Sequence, residues 1–307
     1  MRAFTMDSFD APPALRDDLP EPHPAANELL VRVHGSSVNP VDVAIAAGYL
    51  KEMVAHEFPV TLGRDFAGVV EQAGDGVTRY QTGDEVFGFL RHANPAVHAG
   101  SWTELITVPE DDFAVRKPSG LDLAQAGAAP LAGITALAGH DALAPVAGET
   151  VLVLGATGGV GSFFIQLAAA GGVHVIAPGL PEDHDYLTGL GVSEILDRRA
   201  ALETAVRDRY PDGVDAILDL VSQGPQDTLL KAGGRLASPL GAAGEGAGRF
   251  NLMALPTAEN LKRLAELLES GTLRVHIQSA YRLGEAGDAL QALTTIHTQG
   301  KLAVSIA

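Results

Sequence analysis

Val151-Leu152-Val153-Leu154-Gly155-Ala156-Thr157-Gly158-Gly159-Val160-Gly161 is an apolar run that breaks into glycines and resumes as a helical pattern reaching residue 170. The four apolar residues have the length and texture of a buried strand, and the glycines make the turn that opens the helix. Glycine there lets the backbone approach a pyrophosphate, which the free N–H groups and positive end of the helix then bind. Gly161 lets that helix pack closely on the strand. Ala156 stands where the first glycine of G-x-G-x-x-G usually stands, so the strict pattern is broken. Gly155, Ala156, Thr157, Gly158, Gly159, Val160 and Gly161 are candidate cofactor contacts. The alternative is a tight turn that holds no ligand.

What surrounds the turn favours the first reading. Strand-like runs at 173–177, 194–196, 214–220 and 235–238 alternate with helical runs at 183–190 and 201–207. Repeated strand–helix units with apolar strands predict a parallel sheet covered on both faces, the doubly wound Rossmann arrangement. Alanine-rich helices at 121–129 and 133–143 precede the turn, and Thr135 in the second is a candidate cofactor contact. Upstream of Pro118-Ser119-Gly120 the texture is different: short strands at 29–34, 67–72 and 101–108, separated by Gly74-Asp75-Gly76 and Gly83-Asp84 turns. After residue 255 a helix at 257–270 and a last strand–helix–strand pattern end at 301–306.

A dinucleotide site for NAD usually has an acid at the tip of the second strand, to bond the ribose hydroxyls. Here Pro178 and Gly179 follow that strand, and the nearest acids, Glu182 and Asp183, lie further on in the expected next helix. The missing acid leaves room for a 2′-phosphate, so NADPH is preferred over NADH. Pro178 and Gly179 would line the tip, and His184, Tyr186 and Arg198 are the side chains placed to reach the phosphate; the alternative is that these three are plain surface residues.

The 307 residues suggest two domains, and 46% hydrophobic with 19% charged residues is enough apolar material for a sizeable core. An excess of 38 Asp+Glu over 21 Lys+Arg, a net charge of −17, repels phosphate backbones. The densest basic cluster is Arg198-Arg199, so no nucleic acid is expected as a partner. The N-terminal residues lack the apolar run of a signal peptide, and no stretch of about 18 apolar residues suggests a membrane span. A soluble, cytoplasmic protein with no membrane partner is expected. With no cysteine, disulfides, thiolate zinc sites and cysteine nucleophiles are excluded.

The glycine turn resembles that of the zinc-independent quinone oxidoreductases, within the medium-chain dehydrogenase/reductase superfamily. Other segments resemble the family in the same order: Asn39-Pro40-Val41-Asp42, Gly63-Arg64-Asp65-Phe66-Ala67-Gly68, Gly83-Asp84-Glu85-Val86-Phe87-Gly88, Gly100-Ser101-Trp102, Pro130-Leu131-Ala132-Gly133 and Gly300-Lys301. The resemblance covers essentially the whole chain. It implies a GroES-like β-rich catalytic domain built from residues 1–118 and 256–307, enclosing a Rossmann domain at 119–255. It also implies a homodimer through the Rossmann edge strand near 249–254, since an exposed apolar edge needs covering.

Zinc-dependent relatives hold a catalytic metal with cysteine and histidine ligands. Here the family's histidine position is Arg64, and His92 and His98 share a loop without a placed carboxylate. No metal ligand set is expected. Without a Lewis acid, alcohol oxidation is difficult, whereas a quinone or an activated C=C already draws hydride and needs mainly orientation and hydrogen bonds. The resemblance places Asn39, Asp42 and Tyr49 beside the nicotinamide. Asn39 is a candidate hydrogen-bond donor to ribose or substrate and Tyr49 a candidate proton donor. Asp42 reads better as a structural carboxylate bonding local backbone or a ring partner, and Arg64 with Asp65 as an ion pair rather than as chemistry. Ser238 and Leu240 follow a strand whose backbone faces the carboxamide in the family. The function implied is NADPH-dependent reduction of a quinone or an α,β-unsaturated carbonyl; the alternatives are an enoyl-thioester reductase and a non-catalytic NADPH-binding dimer. Pocket size is left to the loops at 46–58 and 91–99.

Overall fold

A computed structural model describes residues 1–53, 55–90 and 100–306. The 91–99 loop, with His92 and His98, lies outside the described residues, as does Val54 in the 46–58 loop. In chain order the strands and helices begin with β1 (Ala3–Met6), β2 (Ala14–Arg16), β3 (Glu28–Ser37), α1 (Pro40–Ala46), β4 (Val60–Thr61), β5 (Asp65–Ala73), β6 (Glu85–Phe89), β7 (Leu105–Pro109) and β8 (Ala114–Arg116). Then come α2 (Leu123–Ala128), α3 (Pro130–Leu143), β9 (Thr150–Leu154), α4 (Gly159–Ala170), β10 (His174–Gly179), α5 (His184–Leu190), β11 (Glu194–Asp197) and α6 (Leu202–Arg207). The remainder is β12 (Val214–Asp219), β13 (Leu230–Ser238), β14 (Arg249–Asn251), α7 (Ala258–Glu269), β15 (Ile277–Arg282), α8 (Ala286–Thr295) and β16 (Lys301–Ser305). No helix among the described residues is long and apolar enough to cross a membrane.

The chain divides into two compact units. The first comprises Met1–Leu131, Leu255–Ser270 and Val275–Ala307; the second comprises Ala132–Ala254 and Gly271–Arg274. The first therefore runs past the change of texture at Pro118. Helix α2 explains why: Asp122 caps it by accepting the Gln125 N–H at 2.7 Å, and the helix lies against β3 at glycine-only distance. A Cβ at Gly35 would meet the Leu123 carbonyl oxygen at 2.2 Å, and one at Gly127 would meet the Gly35 carbonyl carbon at 2.4 Å.

In the second unit six strands form one parallel sheet in the order β11-β10-β9-β12-β13-β14. That is the doubly wound order, with β9 central and β14 at the edge. The central strand is held in register by Leu152 opposite Ile176 on one side and Ile217 on the other. Val151, Leu152 and Val153 are fully buried, each contributing roughly 2 kcal/mol of apolar burial. The acids after β10 lie in a 3-10 turn that leads directly into the next helix, with Asp183 at its N-cap. Pro181–Asp183 is a 3-10 turn, and α5 starts at His184, because proline fixes the first position of the tight turn.

The first unit is β-rich, with a sheet ordered β15-β16-β3-β5-β6-β8, β7 also pairing β3, and a smaller sheet β2-β1-β4. Strand β16, near the end of the chain, pairs antiparallel with β3 (Ala303 opposite Ser37), so distant parts of the sequence share one sheet. The 101–108 run is strand only from Leu105. Before it, the buried Trp102 ring packs over Gly63, whose φ is +88° and where a Cβ would lie 2.2 Å from the indole; the indole N–H reaches Ser36 Oγ at 3.1 Å. Its backbone also bonds to neighbouring chain, accepting the Phe4 N–H at 2.8 Å and donating to the Leu62 carbonyl at 2.9 Å, so Trp102 ties the sheets as well as packing.

Candidate active site

At the end of β9 the left-handed residue is Gly155, with φ +82°. Ala156, one residue later, needs no left-handed φ and buries its methyl at 2% exposure, which is why alanine is tolerated at that place in the pattern. Gly158 is the N-cap of α4, extended at φ −74° and ψ 176°, and no side chain caps the helix. A Cβ at Gly161 would sit 2.4 Å from the Gly155 carbonyl oxygen and 2.7 Å from that of Ala156, so this glycine is required by the close approach of helix to strand. At Gly158 the nearest atom to a Cβ would be the Gly155 oxygen at 3.6 Å, leaving open space before the helix start. An uncapped positive helix end facing a glycine-lined space fits an anionic phosphate.

Around the second strand's tip, Gly179 is buried against Leu187 and Ile195, and its carbonyl accepts the Arg198 N–H at 3.1 Å. Arg198 is therefore brought beside Gly179, and its side chain is exposed, as is that of His184. Tyr186 differs: it is partly buried, and burial pushes its phenol up to about 12. Asp183 is closer to the tip than its place in the sequence suggests. It is fully buried, its Cβ lies 3.6 Å from where a Gly179 Cβ would be, and its Oδ2 accepts the Leu180 N–H at 2.8 Å. The acid holds the turn together from beneath.

Pro178 is half-buried in β10, and Thr135 is 7% exposed in α3. Ser238 is buried and its Oγ accepts the Leu240 N–H at 3.1 Å, while the Leu240 side chain is 51% exposed. Sequence reasoning passed over Asp219, at the C-terminal end of β12 and opposite Leu154 in register. It is fully buried; its Oδ1 accepts the N–H groups of Val221 and Ser222 at 3.1 and 2.9 Å, and its Oδ2 has no hydrogen-bond partner among the described residues. An acid ending an apolar strand one step from the glycine turn was the available signal.

In the first unit, Asn39, Asp42, Arg64, Asp65 and Lys301 are all buried, at 5% exposure or less. Asn39 is the N-cap of α1, with Pro40 at the first helical position. Its backbone N–H donates to Asp42 Oδ2 at 2.8 Å, and its side-chain amide donates to Asp65 Oδ2 at 2.8 Å. Lys301 Nζ donates to Asn39 Oδ1 at 2.6 Å and stands 3.8 Å from Asp65. Asp65 Oδ2 also accepts from Ser37 Oγ at 2.6 Å, and its Oδ1 from the Leu131 N–H at 2.7 Å. Asp65 is thus tied to Lys301 and Asn39, whereas the carboxyl that acts on Arg64 is Asp42, not the adjacent Asp65 expected to pair with it. Tyr49 is 76% exposed, outside this network.

Burial pushes the Asp42 carboxyl up to about 7, overriding the opposing pull of Arg64. Burial also draws Arg64 downward while Asp42 holds it up; a guanidinium keeps its proton throughout. The folded Asp42 binds a proton up to about pH 7, whereas the unfolded group releases it near its ordinary 3.8. The folded state therefore holds more protons in that window, and stability falls as pH rises through it, by on the order of 2–4 kcal/mol at most. Asp42→Asn is expected to flatten the fall of melting temperature between pH 5 and 8. Equal slopes in the variant and the parent protein would contradict this account.

Residues 25–119 match the alcohol dehydrogenase GroES-like domain and residues 190–304 the zinc-binding dehydrogenase family. Together with the sheet order and the glycine turn, this defines a medium-chain dehydrogenase/reductase. The chain is 30% identical to the quinone oxidoreductase of Rattus norvegicus, over 98% of this chain and 96% of that one. It is 28% identical to the chloroplastic quinone-oxidoreductase homolog of Spinacia oleracea, over 92% and 91%. The solved quinone oxidoreductase of Coxiella burnetii is similar at a TM-score of 0.86 and 30% identity, covering 100% of this chain and 99% of that one. The chain belongs to the quinone oxidoreductase family, and it is an oxidoreductase. The chain has no cysteine, and among the described residues no three of histidine, aspartate and glutamate are grouped to hold a metal ion.

Proposed function

We propose that the protein is an NADPH-dependent, zinc-independent reductase that passes a hydride to a quinone or to an α,β-unsaturated carbonyl. The observation that carries this reading is the open, uncapped start of α4 at Gly158; at the β10 tip, Asp183 beneath Gly179 is spent on the Leu180 N–H, and Asp197, opposite Gly179 in register, accepts the Arg199 N–H. The backbone of 155–161 would hold the pyrophosphate, and Arg198, alongside Gly179, would meet a 2′-phosphate that a free carboxylate would repel. The reduced nicotinamide, when bound, supplies two electrons and one hydrogen; a proton completes the acceptor. Asn39 would hydrogen-bond the cofactor ribose or the acceptor oxygen, and Tyr49 would be the proton donor. Because the acceptor is electron-poor, the protein's work is orientation rather than activation. Asp42, buried behind Asn39, holds the segment through the Asn39 N–H.

The test is a panel of quinones and enones with NADPH or NADH, followed by loss of reduced-nicotinamide absorbance. Turnover with NADPH exceeding that with NADH at equal concentration is expected. Cofactor binding with no turnover on any acceptor would leave only a binding protein, and activity confined to enoyl thioesters would replace the acceptor class.

A further inference from the structure

The amide of Asn39 lies between opposite charges. On one side, Lys301 Nζ donates to its Oδ1 at 2.6 Å; on the other, its Nδ2 donates to Asp65 Oδ2 at 2.8 Å. Both flanking groups are themselves held. Lys301, at the first position of β16, also donates to the Val38 carbonyl at 3.1 Å. Asp65 is fixed by Ser37 Oγ and by the Leu131 N–H. A flipped amide would set its oxygen against the carboxylate and its NH2 against the ammonium, two repulsive contacts in a buried site where electrostatics are strong. An asparagine side chain has two N–H groups and two lone pairs. With one of each committed, the second N–H keeps a single direction, apart from a long 3.4 Å approach of Nδ2 to Ser37 Oγ.

We propose that Lys301 is a positioning residue, which fixes the Asn39 amide in the one orientation that presents its remaining N–H to the reaction. The inference rests on the proposed role of Asn39 in hydrogen-bonding the ribose or the acceptor. A lysine suits the task because its compact ammonium, on a four-carbon stem, can donate to the Val38 carbonyl and the Asn39 amide oxygen together. Arg64 supplies a second buried cation beside Asp42, so loss of Lys301 leaves the cluster one positive charge rather than none.

The test is a cycle of four proteins: the parent, Asn39→Ala, Lys301→Met and the double variant. Each is assayed for kcat/KM with NADPH and a quinone, and the amide of Asn39 is followed by 15N NMR, its signals assigned by their absence in Asn39→Ala. Roughly tenfold losses are expected for each single variant, with the double variant no slower than Asn39→Ala alone. The Asn39 amide signals should be a single sharp pair in the parent and shift or double in Lys301→Met. Should Lys301→Met fail to unfold cooperatively, Lys301→Gln carries the cycle; it restores a neutral donor and should recover part of the rate. An equal fold-loss from the Lys301 change with and without Asn39 overturns the proposal, as does an unaltered amide signal. If Asn39→Ala leaves kcat/KM unchanged while Lys301→Met disturbs the amide signal, the role of Asn39 fails and the orientation by Lys301 stands.

Discussion

Gly158→Ala is expected to leave the fold intact and to weaken NADPH binding by at least 30-fold, whereas Gly161→Ala should damage both. The added methyl at 158 meets nothing closer than 3.6 Å, and φ of −74° suits any residue, so stability should move by less than about 0.5 kcal/mol. The methyl would instead occupy the space into which a phosphate must come to reach the helix end, and roughly 2 kcal/mol of lost contact corresponds to the 30-fold change. At 161 the methyl collides with two backbone carbonyl oxygens that belong to the strand–turn junction. Neither is the end of a flexible side chain, so the turn itself must shift, at about 2 kcal/mol net of the helix propensity that alanine adds. Fluorescence titration with NADPH and thermal unfolding of the two variants separate the cases. An unchanged Kd in Gly158→Ala would mean that the glycine turn holds no pyrophosphate.

The second large effect should come from Asp65. Its carboxylate accepts from Ser37, Asn39 and the Leu131 N–H, and faces Lys301, all without exposure to water. Asp65→Asn keeps the shape but turns an NH2 toward at least one of those donors and removes the negative charge beside the buried Lys301. Breaking a buried pair in this way costs about 3–5 kcal/mol, a fall in melting temperature of roughly 10 °C. By contrast Glu71→Ala, which removes the partner of Arg32 at a site more than a third exposed, should cost under about 1 kcal/mol. A melting temperature for Asp65→Asn within a degree or two of the parent would show that the cluster is not the internal brace described.

The parts of the molecule that were legible beforehand are those that repeat a pattern. The apolar strands β9, β10 and β12 stand where their residues indicated, because each is buried on both faces and has few polar positions to confuse the reading. Helix α1 and the short strands β1, β2 and β4 were not seen: at seven, four, three and two residues they carry no usable periodicity. The turn chemistry was legible through its glycines, but the burial of Asp183 was not. A proline-led 3-10 turn folds that acid back under Gly179, and only the tertiary packing shows it. The charged cluster was the least visible part, since Lys301 and Asn39 lie 262 residues apart and neither has a local signal for the other.

That separation bears on how the protein comes into being. The whole of the second unit is made between Asn39 and Lys301, so when it is complete the Asn39 amide still lacks its cation and β3 still lacks β16 as a neighbour. The first unit waits with one flank of its sheet open. Closing a loop of that length is entropically costly if the intervening chain is loose, and less so once it has collapsed into a compact insert. Vectorial synthesis supplies that order of events: the inserted unit can condense first, and the last strand then closes the older one.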